Sequence, residues 1–308
     1  MRLLVFFLFF STYCIAQNID FEGYVVDSKT DSPIPYVNIS FLNTLKGTST
    51  DEEGHFLLEI PKDFLNKQVH VSSLGYQDTL FIAEQLHSSK KLKMVEETFE
   101  LAEVVITKNL GDAGVLNPIN SRSITSGFDS SSTPWILALY FPNIGAAKKY
   151  LNKVTVFFRE NNNFKREASK FRLRFFDVDK TKMPGKDLTN KSLVLEQHRG
   201  KDYVMIDVAE MNLKIPENGI YIGLEWLFVP SNWYRKKEID NLTSKPIIED
   251  RFAPTFAGVY SKNVNYKTVI YGMGEWRDFT VRSKNNTENF IPAVSLKISS
   301  DKKSKKSK

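Results

Sequence analysis

The chain has 308 residues, 42% of them apolar and 25% charged, with one cysteine and a net charge of +6. A single cysteine excludes a disulfide framework, and a chain of this length can bury cores of its own, two domains being the expectation from length. The positive charge sits mostly at the ends, with Arg2 at one and five Lys against one Asp in residues 301–308 at the other, so the nearly neutral body has no basic face that could track phosphates, and no nucleic-acid partner is expected.

Met1-Arg2, the apolar run 3–10 and the small residue Ala16 before Gln17-Asn18 have the layout of a secretory signal peptide. The run is far shorter than the ~20 residues that cross a hydrocarbon core. No later stretch is long and apolar enough either, so no transmembrane segment is expected once residues 1–16 are removed. Lipoprotein processing takes a small residue before the lipidated cysteine, and Cys14 follows the bulky Tyr13. Cleavage after Ala16 without lipidation is therefore expected, which leaves the mature chain without cysteine. The protein is expected to be exported to the periplasm, the outer membrane or the cell surface. Residues 301–308 read as a solvated basic tail.

Residues 17–95 read as one all-β unit of short strands separated by turns. Residues 21–26 open it. In residues 36–41, Val37, Ile39 and Phe41 fall on one face and Asn38 and Ser40 on the other, the period of a half-buried strand. Around Asp51-Glu52-Glu53-Gly54 a hairpin is expected, with Asp51 accepting from nearby amides and Gly54 at positive φ. Phe56, Leu58 and Ile60 share the next face, residues 63–67 can make one helical turn, and residues 69–73 and 92–94 supply further strands. Helical periodicity is nowhere sustained.

Gly23-Tyr24-Val25-Val26-Asp27, Pro33-Ile34-Pro35-Tyr36-Val37-Asn38-Ile39, Gly47-Thr48 with Thr50-Asp51-Glu52-Glu53-Gly54-His55-Phe56, and Leu74-Gly75-Tyr76 together resemble the carboxypeptidase regulatory-like domain. The resemblance implies a transthyretin-like β-sandwich that serves as a packing or interaction module in Gram-negative envelope proteins, without peptidase activity of its own. Leu101-Ala102-Glu103-Val104-Val105-Ile106-Thr107 is similar to the segment that follows this module in TonB-dependent outer-membrane receptors. The 201 residues that follow it are too few for the 22-stranded barrel of such transporters.

Residues 96–133, rich in Gly, Asn, Ser and Asp, read as a linker crossed by few contacts, so that proteolysis there would release two stable fragments. Residues 134–300 carry about eight more strands and suit a second, jelly-roll-like β-sandwich. This half resembles uncharacterised domains that accompany the regulatory-like module, notably in Arg172-Leu173-Arg174-Phe175-Phe176, Pro184-Gly185-Lys186-Asp187-Leu188 and Gly223-Leu224-Glu225-Trp226.

No catalytic residue, metal site or cofactor is expected. Catalytic zinc needs three protein ligands, and the residues three places after the four histidines are Leu58, Ser73, Lys90 and Lys201, so no His-x-x-Glu pair exists. Ser88 with Lys91 lacks the partner motifs of serine acyltransferases, and no nucleophile elbow, phosphate loop or dinucleotide fingerprint is present. Asp177, Asp179 and Asp187 surround a Met183-Pro184-Gly185 turn, but their spacing is not that of a calcium loop, and turns attract Asp. Glu217, Glu225 and Glu238 have no distinguishing context and are expected to be solvated.

Aromatic plates are the remaining candidates. Trp226 shares phase with Ile220, Ile222, Leu224 and Phe228, and Trp135 with Leu137, Leu139 and Phe141, so both are expected in the core. Trp233 and Tyr234, between Asn232 and Arg235, are expected on a loop, and Trp276 beside Arg277 near another. These three are the candidate ligand-binding residues. The expected function is a non-enzymatic binding or assembly module of a bacterial envelope that recognises glycan or a protein partner. The alternative is a hydrolase with a site of dispersed carboxylates in the second domain.

Overall fold

The computed structural model describes residues 18–97, 111–130, 133–144, 148–240 and 243–300. The expected leader with Cys14, the segment 101–107 and the tail 301–308 lie outside these. Among the described residues the chain is all-β apart from one short α-helix and a few 3-10 turns, and no helix is long and apolar enough to cross a membrane.

The first unit comprises β1 (Asn18–Asp27), β2 (Asn38–Phe41), β3 (Gly47–Ser49), β4 (His55–Pro61), β5 (Gln68–Ser72), β6 (Thr79–Ile82), helix α1 (Ala83–Ser89) and β7 (Lys91–Met94). One sheet has the order β4-β1-β7 and the other β3-β2-β5-β6. Phe21, Val25, Phe56, Ile60, Leu92 and Met94 of the first face Val37, Ile39, Phe41, Val69 and Val71 of the second in one core. The hairpin forms as its residues dictate. Asp51 Oδ1 accepts from the amides of Glu53 and His55 at 3.1 and 2.8 Å, and Gly54 has φ of +72°. The helix was not foreseen because its seven residues bury only Ala83 and Leu86, too few for a period to show.

The second unit comprises β8 (Gly111–Leu116), β9 (Ser126–Phe128), β10 (Ile136–Phe141), β11 (Lys149–Phe157), β12 (Ala168–Val178), β13 (Pro184–Asp187), β14 (Leu193–His198), β15 (Tyr203–Asp207), β16 (Ile220–Trp226), β17 (Trp233–Ile239), β18 (Pro246–Phe252), β19 (Phe256–Ser261), β20 (Thr268–Gly272), β21 (Glu275–Asp278), β22 (Val281–Arg282), β23 (Asn289–Pro292) and β24 (Val294–Ser300). A seven-stranded sheet runs β13-β12-β16-β10-β20-β21, with β14 also on β12. It faces two four-stranded sheets, β15-β11-β24-β8 and β22-β23-β19-β9, across a core that includes Leu139, Phe175, Ile222, Trp226, Val154, Phe256 and Leu296. Part of the expected linker therefore belongs to this unit. β8 pairs with β24 and β9 with β19, because both are short strands whose register is set by distant partners rather than by their own polar composition.

The two sandwiches stack sheet on sheet. The second face of β2 is not solvated: all four of its residues are buried, because Asn38, Ser40, Gly47 and Ser49 lie against the second sandwich. Ser49 Oγ accepts from the Phe228 amide at 3.1 Å, Thr48 Oγ1 bonds the Phe228 carbonyl at 3.4 Å, and the Tyr36 carbonyl accepts from Arg172 Nη2 at 3.1 Å. Tyr36 packs with Leu227 and Val229. Small polar side chains let two sheet faces approach closely, and each hydrogen bond removes the cost of burying them. The reciprocal surface is the outer face of the seven-stranded sheet, where all of β16 is buried on both sides.

Candidate functional site

The expected aromatic loop is a strand. Trp233 opens β17, which forms a two-stranded ribbon with β18 in the register Trp233↔Phe252, Tyr234↔Arg251, Arg235↔Asp250 and Lys236↔Glu249. Opposite charges facing one another across the ribbon stabilise a polar hairpin that composition alone reads as loop. Alternation then separates the two aromatics. Trp233 is half-buried with the Arg235 guanidinium 5.3 Å from its ring centre. Tyr234 points the other way, 5% exposed, against Phe164 and Ala253. Asn232, expected as a polar neighbour for a ligand, is itself fully buried; its Nδ2 donates to the carbonyls of Leu227 and Lys170 at 2.8 and 2.7 Å. Tyr234 is thus a packing residue, and burial pushes its phenol above the ordinary range. Asn161 and Thr255 stand close enough to its hydroxyl to offset part of that rise, but no hydrogen bond of good geometry forms, so Tyr234→Phe removes a desolvated group at little cost to its neighbours. The expected result in thermal unfolding is a midpoint equal to or slightly above that of the native chain, worth at most about 1 kcal/mol. A loss of more than that would show that the hydroxyl has a partner.

Trp276 lies on β21 directly opposite Tyr271. The same alternation turns Arg277 to the other face, where it stands opposite the core residue Ile270, so Arg277 does not flank the Trp276 ring. Trp276 belongs to the outer face of the seven-stranded sheet, whose registers build two rows. The first reads Arg172, Glu225, Ile136, Tyr271, Trp276 and the second Arg174, Gly223, Ala138, Val269, Asp278. Gly223 and Ala138 leave a shallow trough in the second row. A Cβ at Gly223 would come within 2.8 Å of the Phe176 ring. Over that trough Phe176 and Trp276 meet edge to face at 5.3 Å, and Tyr271 and Trp276 meet at a tilt of 55° and 5.2 Å.

The charged members of the sequence motifs converge at the other end of these rows. Glu225 is 0% exposed rather than solvated. Its Oε1 accepts from Asn38 Nδ2 of the first sandwich at 2.6 Å and from Arg172 Nη1 at 3.1 Å, and its Oε2 lies 3.6 Å from Arg174 Nη1. Arg174 in turn grips Asp187 through Nε at 3.1 Å and through Nη2. Burial works against the Arg174 charge, but Asp187 and Glu225 outweigh it and hold the guanidinium protonated beyond its ordinary range. Burial also pushes the Asp187 carboxyl up, opposed by Arg174. The paired N–H···O geometry is that of a charge-assisted, two-point contact. Ser49 Oγ donates to Asn38 Oδ1 at 2.9 Å, which fixes the amide that holds Glu225.

This arrangement binds the two sandwiches to each other and leaves little for chemistry. Glu225 has no solvent access, and Asp187 is engaged by Arg174. Asp179 Oδ1 accepts from Thr181 and Met183 amides, and Asp177 Oδ1 from the Lys186 amide at 2.6 Å, so these carboxylates cap the turn. Among the described residues no group of three or more His, Cys, Asp or Glu could hold a metal ion. His55 and His70 lie on β4 and β5, and His70 Nε2 is 3.1 Å from Asp78 Oδ2.

A second contact across the junction is the ion pair of Glu52 with Lys170, and within the first sandwich Tyr36 Oη donates to the same Glu52 at 2.8 Å. Lys170 and then Tyr36 hold the Glu52 carboxyl below its ordinary range. Burial, then Glu52, raises the Tyr36 phenol from 10.0 to about 12. The folded chain therefore holds this proton more tightly than the unfolded chain. Its contribution is whole below the unfolded value and is lost as pH rises through the folded one. The stability difference between the native chain and Tyr36→Phe is expected to be constant up to about pH 9 and to shrink by about pH 12 in denaturant titrations. A difference that stays constant throughout would refute the link.

No curated protein matches the chain. Residues 21–106 match the family model described as CarboxypepD_reg-like domain, so the similarity carried by the motifs of the first sandwich extends past residue 95 and covers the sandwich that docks onto the Arg172, Arg174, Asp187 and Glu225 network.

Proposed function

We propose that this protein is a non-enzymatic binding or assembly module of a bacterial envelope, exported by its N-terminal leader. The first sandwich is the docking partner of the second, and the pair acts as one body. The observation that carries this reading is the fate of the motif charges. Arg172, Arg174, Asp187 and Glu225 are spent on one another and on Asn38 at the junction, where they give a rigid assembly in place of acid–base chemistry. A general acid or base must reach the proton it transfers, and Glu225 reaches no solvent. The match of residues 21–106 to a regulatory-like module supports the same reading.

The test is incubation of the exported full chain with panels of peptides and polysaccharides. No turnover is expected. Turnover abolished by one Asp or Glu substitution would overturn the proposal in favour of a hydrolase. Intact mass of the exported chain tests the location, with an N-terminus at Gln17 and no acyl group as the expected result.

A further inference from the structure

We infer that the lip of the domain junction, formed by Trp276 and Tyr271 on one side and by Asp78 and His70 on the other, is a binding site for a neutral oligosaccharide. The inference rests on the binding-module reading. At this end of the seven-stranded sheet the first sandwich covers Arg172 and Glu225 but leaves Trp276 and Tyr271 half-buried. The wall opposite is the end of the β3-β2-β5-β6 face. His70 on β5 brings its ring within 6.2 Å of Tyr271, Leu80 stands beside it in register with 55% of its surface exposed, and Asp78 leads into the edge strand β6. The Asp78 side chain is 55% exposed with His70 as its partner. Its charge is near enough to add to the rise that burial imposes on the Tyr271 phenol.

A sugar ring presents an apolar face of C–H groups and a rim of hydroxyls. The apolar face suits the Trp276 and Tyr271 rings, which meet at 5.2 Å and so form a broken plate rather than a single ring. The hydroxyl rim needs acceptors and a donor side by side. Asp78 and the exposed Asp278 supply acceptors. Arg174, 13% exposed, supplies the donor through Nη1, the nitrogen that its grip on Asp187 leaves over. Carboxylates outnumber guanidiniums at this lip, so the field opposes uronic or sialic acids. Arg174 at its centre opposes an ammonium. A neutral sugar fits both signs. Trp233 lies on the separate β17–β18 ribbon and takes no part.

The experiment is calorimetric titration of the full mature chain with soluble neutral gluco-, manno-, galacto-, xylo- and N-acetylglucosamine oligosaccharides, with uronic and sialylated oligosaccharides alongside. At least one neutral sugar is expected to bind in preference to the acidic ones. Trp276→Ala is expected to weaken that binding by about tenfold, Asp78→Asn by about threefold or more, and Trp233→Ala to leave it unchanged. Should Trp276→Ala fail to fold by circular dichroism, Asp78→Asn, at an exposed position, decides. Binding insensitive to Trp276→Ala and Asp78→Asn, preference for acidic sugars, or no sugar bound would each overturn this site. A peptide or protein bound instead would leave the binding-module reading standing, whereas turnover of a bound sugar would remove that reading.

Discussion

Trp226→Ala is expected to cost about 3–5 kcal/mol of stability, read as a fall in the denaturation midpoint. Trp226 is 3% exposed at the end of β16, in the core between the seven-stranded sheet and the sheet that carries Phe256. Its ring meets Phe256 edge to face at 4.6 Å, and Phe171 stands opposite it across the β12–β16 ladder. Truncation would leave a cavity among aromatics that are themselves fixed by neighbouring strands, so collapse around it is limited. The indole Nε1 also donates to the Pro254 carbonyl at 2.7 Å, and that carbonyl would be left buried without its donor. Trp226→Phe keeps most of the ring volume and should cost about 1–3 kcal/mol. A loss below about 1 kcal/mol for the alanine variant would mean that the core relaxes into the gap.

The role of Trp226 was legible because alternation reports which residues share a face, and Ile220, Ile222 and Leu224 fix that face as core. What alternation does not report is what covers the opposite face. Asn38 and Ser40 have the pattern of a solvated strand face, and so does Glu225 between Leu224 and Trp226. A small polar residue suits water and suits a second sheet equally well, provided that its hydrogen bonds are made there. The partner that makes them is about 190 residues away for Asn38 and Glu225, a separation at which local sequence carries no signal. The same limit explains β8. Gly111-Asp112-Ala113-Gly114-Val115-Leu116 has little strand propensity, and it is held in the sheet by pairing with β24 and by Asn117, whose Nδ2 donates to the Val294 carbonyl at 2.8 Å. In the candidate site, Trp276 as an aromatic was legible. Its companions Tyr271, Phe176 and Asp78 were not, because they come from three other segments and two sandwiches. Tyr234 failed as a candidate for the converse reason: its sequence neighbours are polar, but its strand turns it inward.

Glu225→Ala is expected to be the most damaging change at the junction, with a loss of about 3–5 kcal/mol, because it strands partners that were buried on its account. Arg172 is 2% exposed. Without Glu225 its Nη1 faces no carboxylate, although Nε still reaches Ser192 Oγ at 3.1 Å and Nη2 the Tyr36 carbonyl. Asn38 loses its acceptor at the same time. Replacing both charges is a different experiment: Arg172→Met with Glu225→Leu removes the desolvation cost together with the attraction, and should be much less damaging than Glu225→Ala alone. The network also predicts how unfolding proceeds. The two sandwiches have separate cores but share buried charges, so the native chain should unfold in a single transition and not as two independent fragments. All four tryptophans, Trp135, Trp226, Trp233 and Trp276, lie in the second sandwich, so their fluorescence follows that unit alone while far-ultraviolet circular dichroism follows both. In the native chain the two curves should coincide. In Glu225→Ala they should separate, because the coupling between the units is what the substitution removes. Curves that already diverge in the native chain, or that still coincide at an unchanged midpoint in the variant, would show that the Arg172–Glu225–Asn38 contact does not join the two folding units.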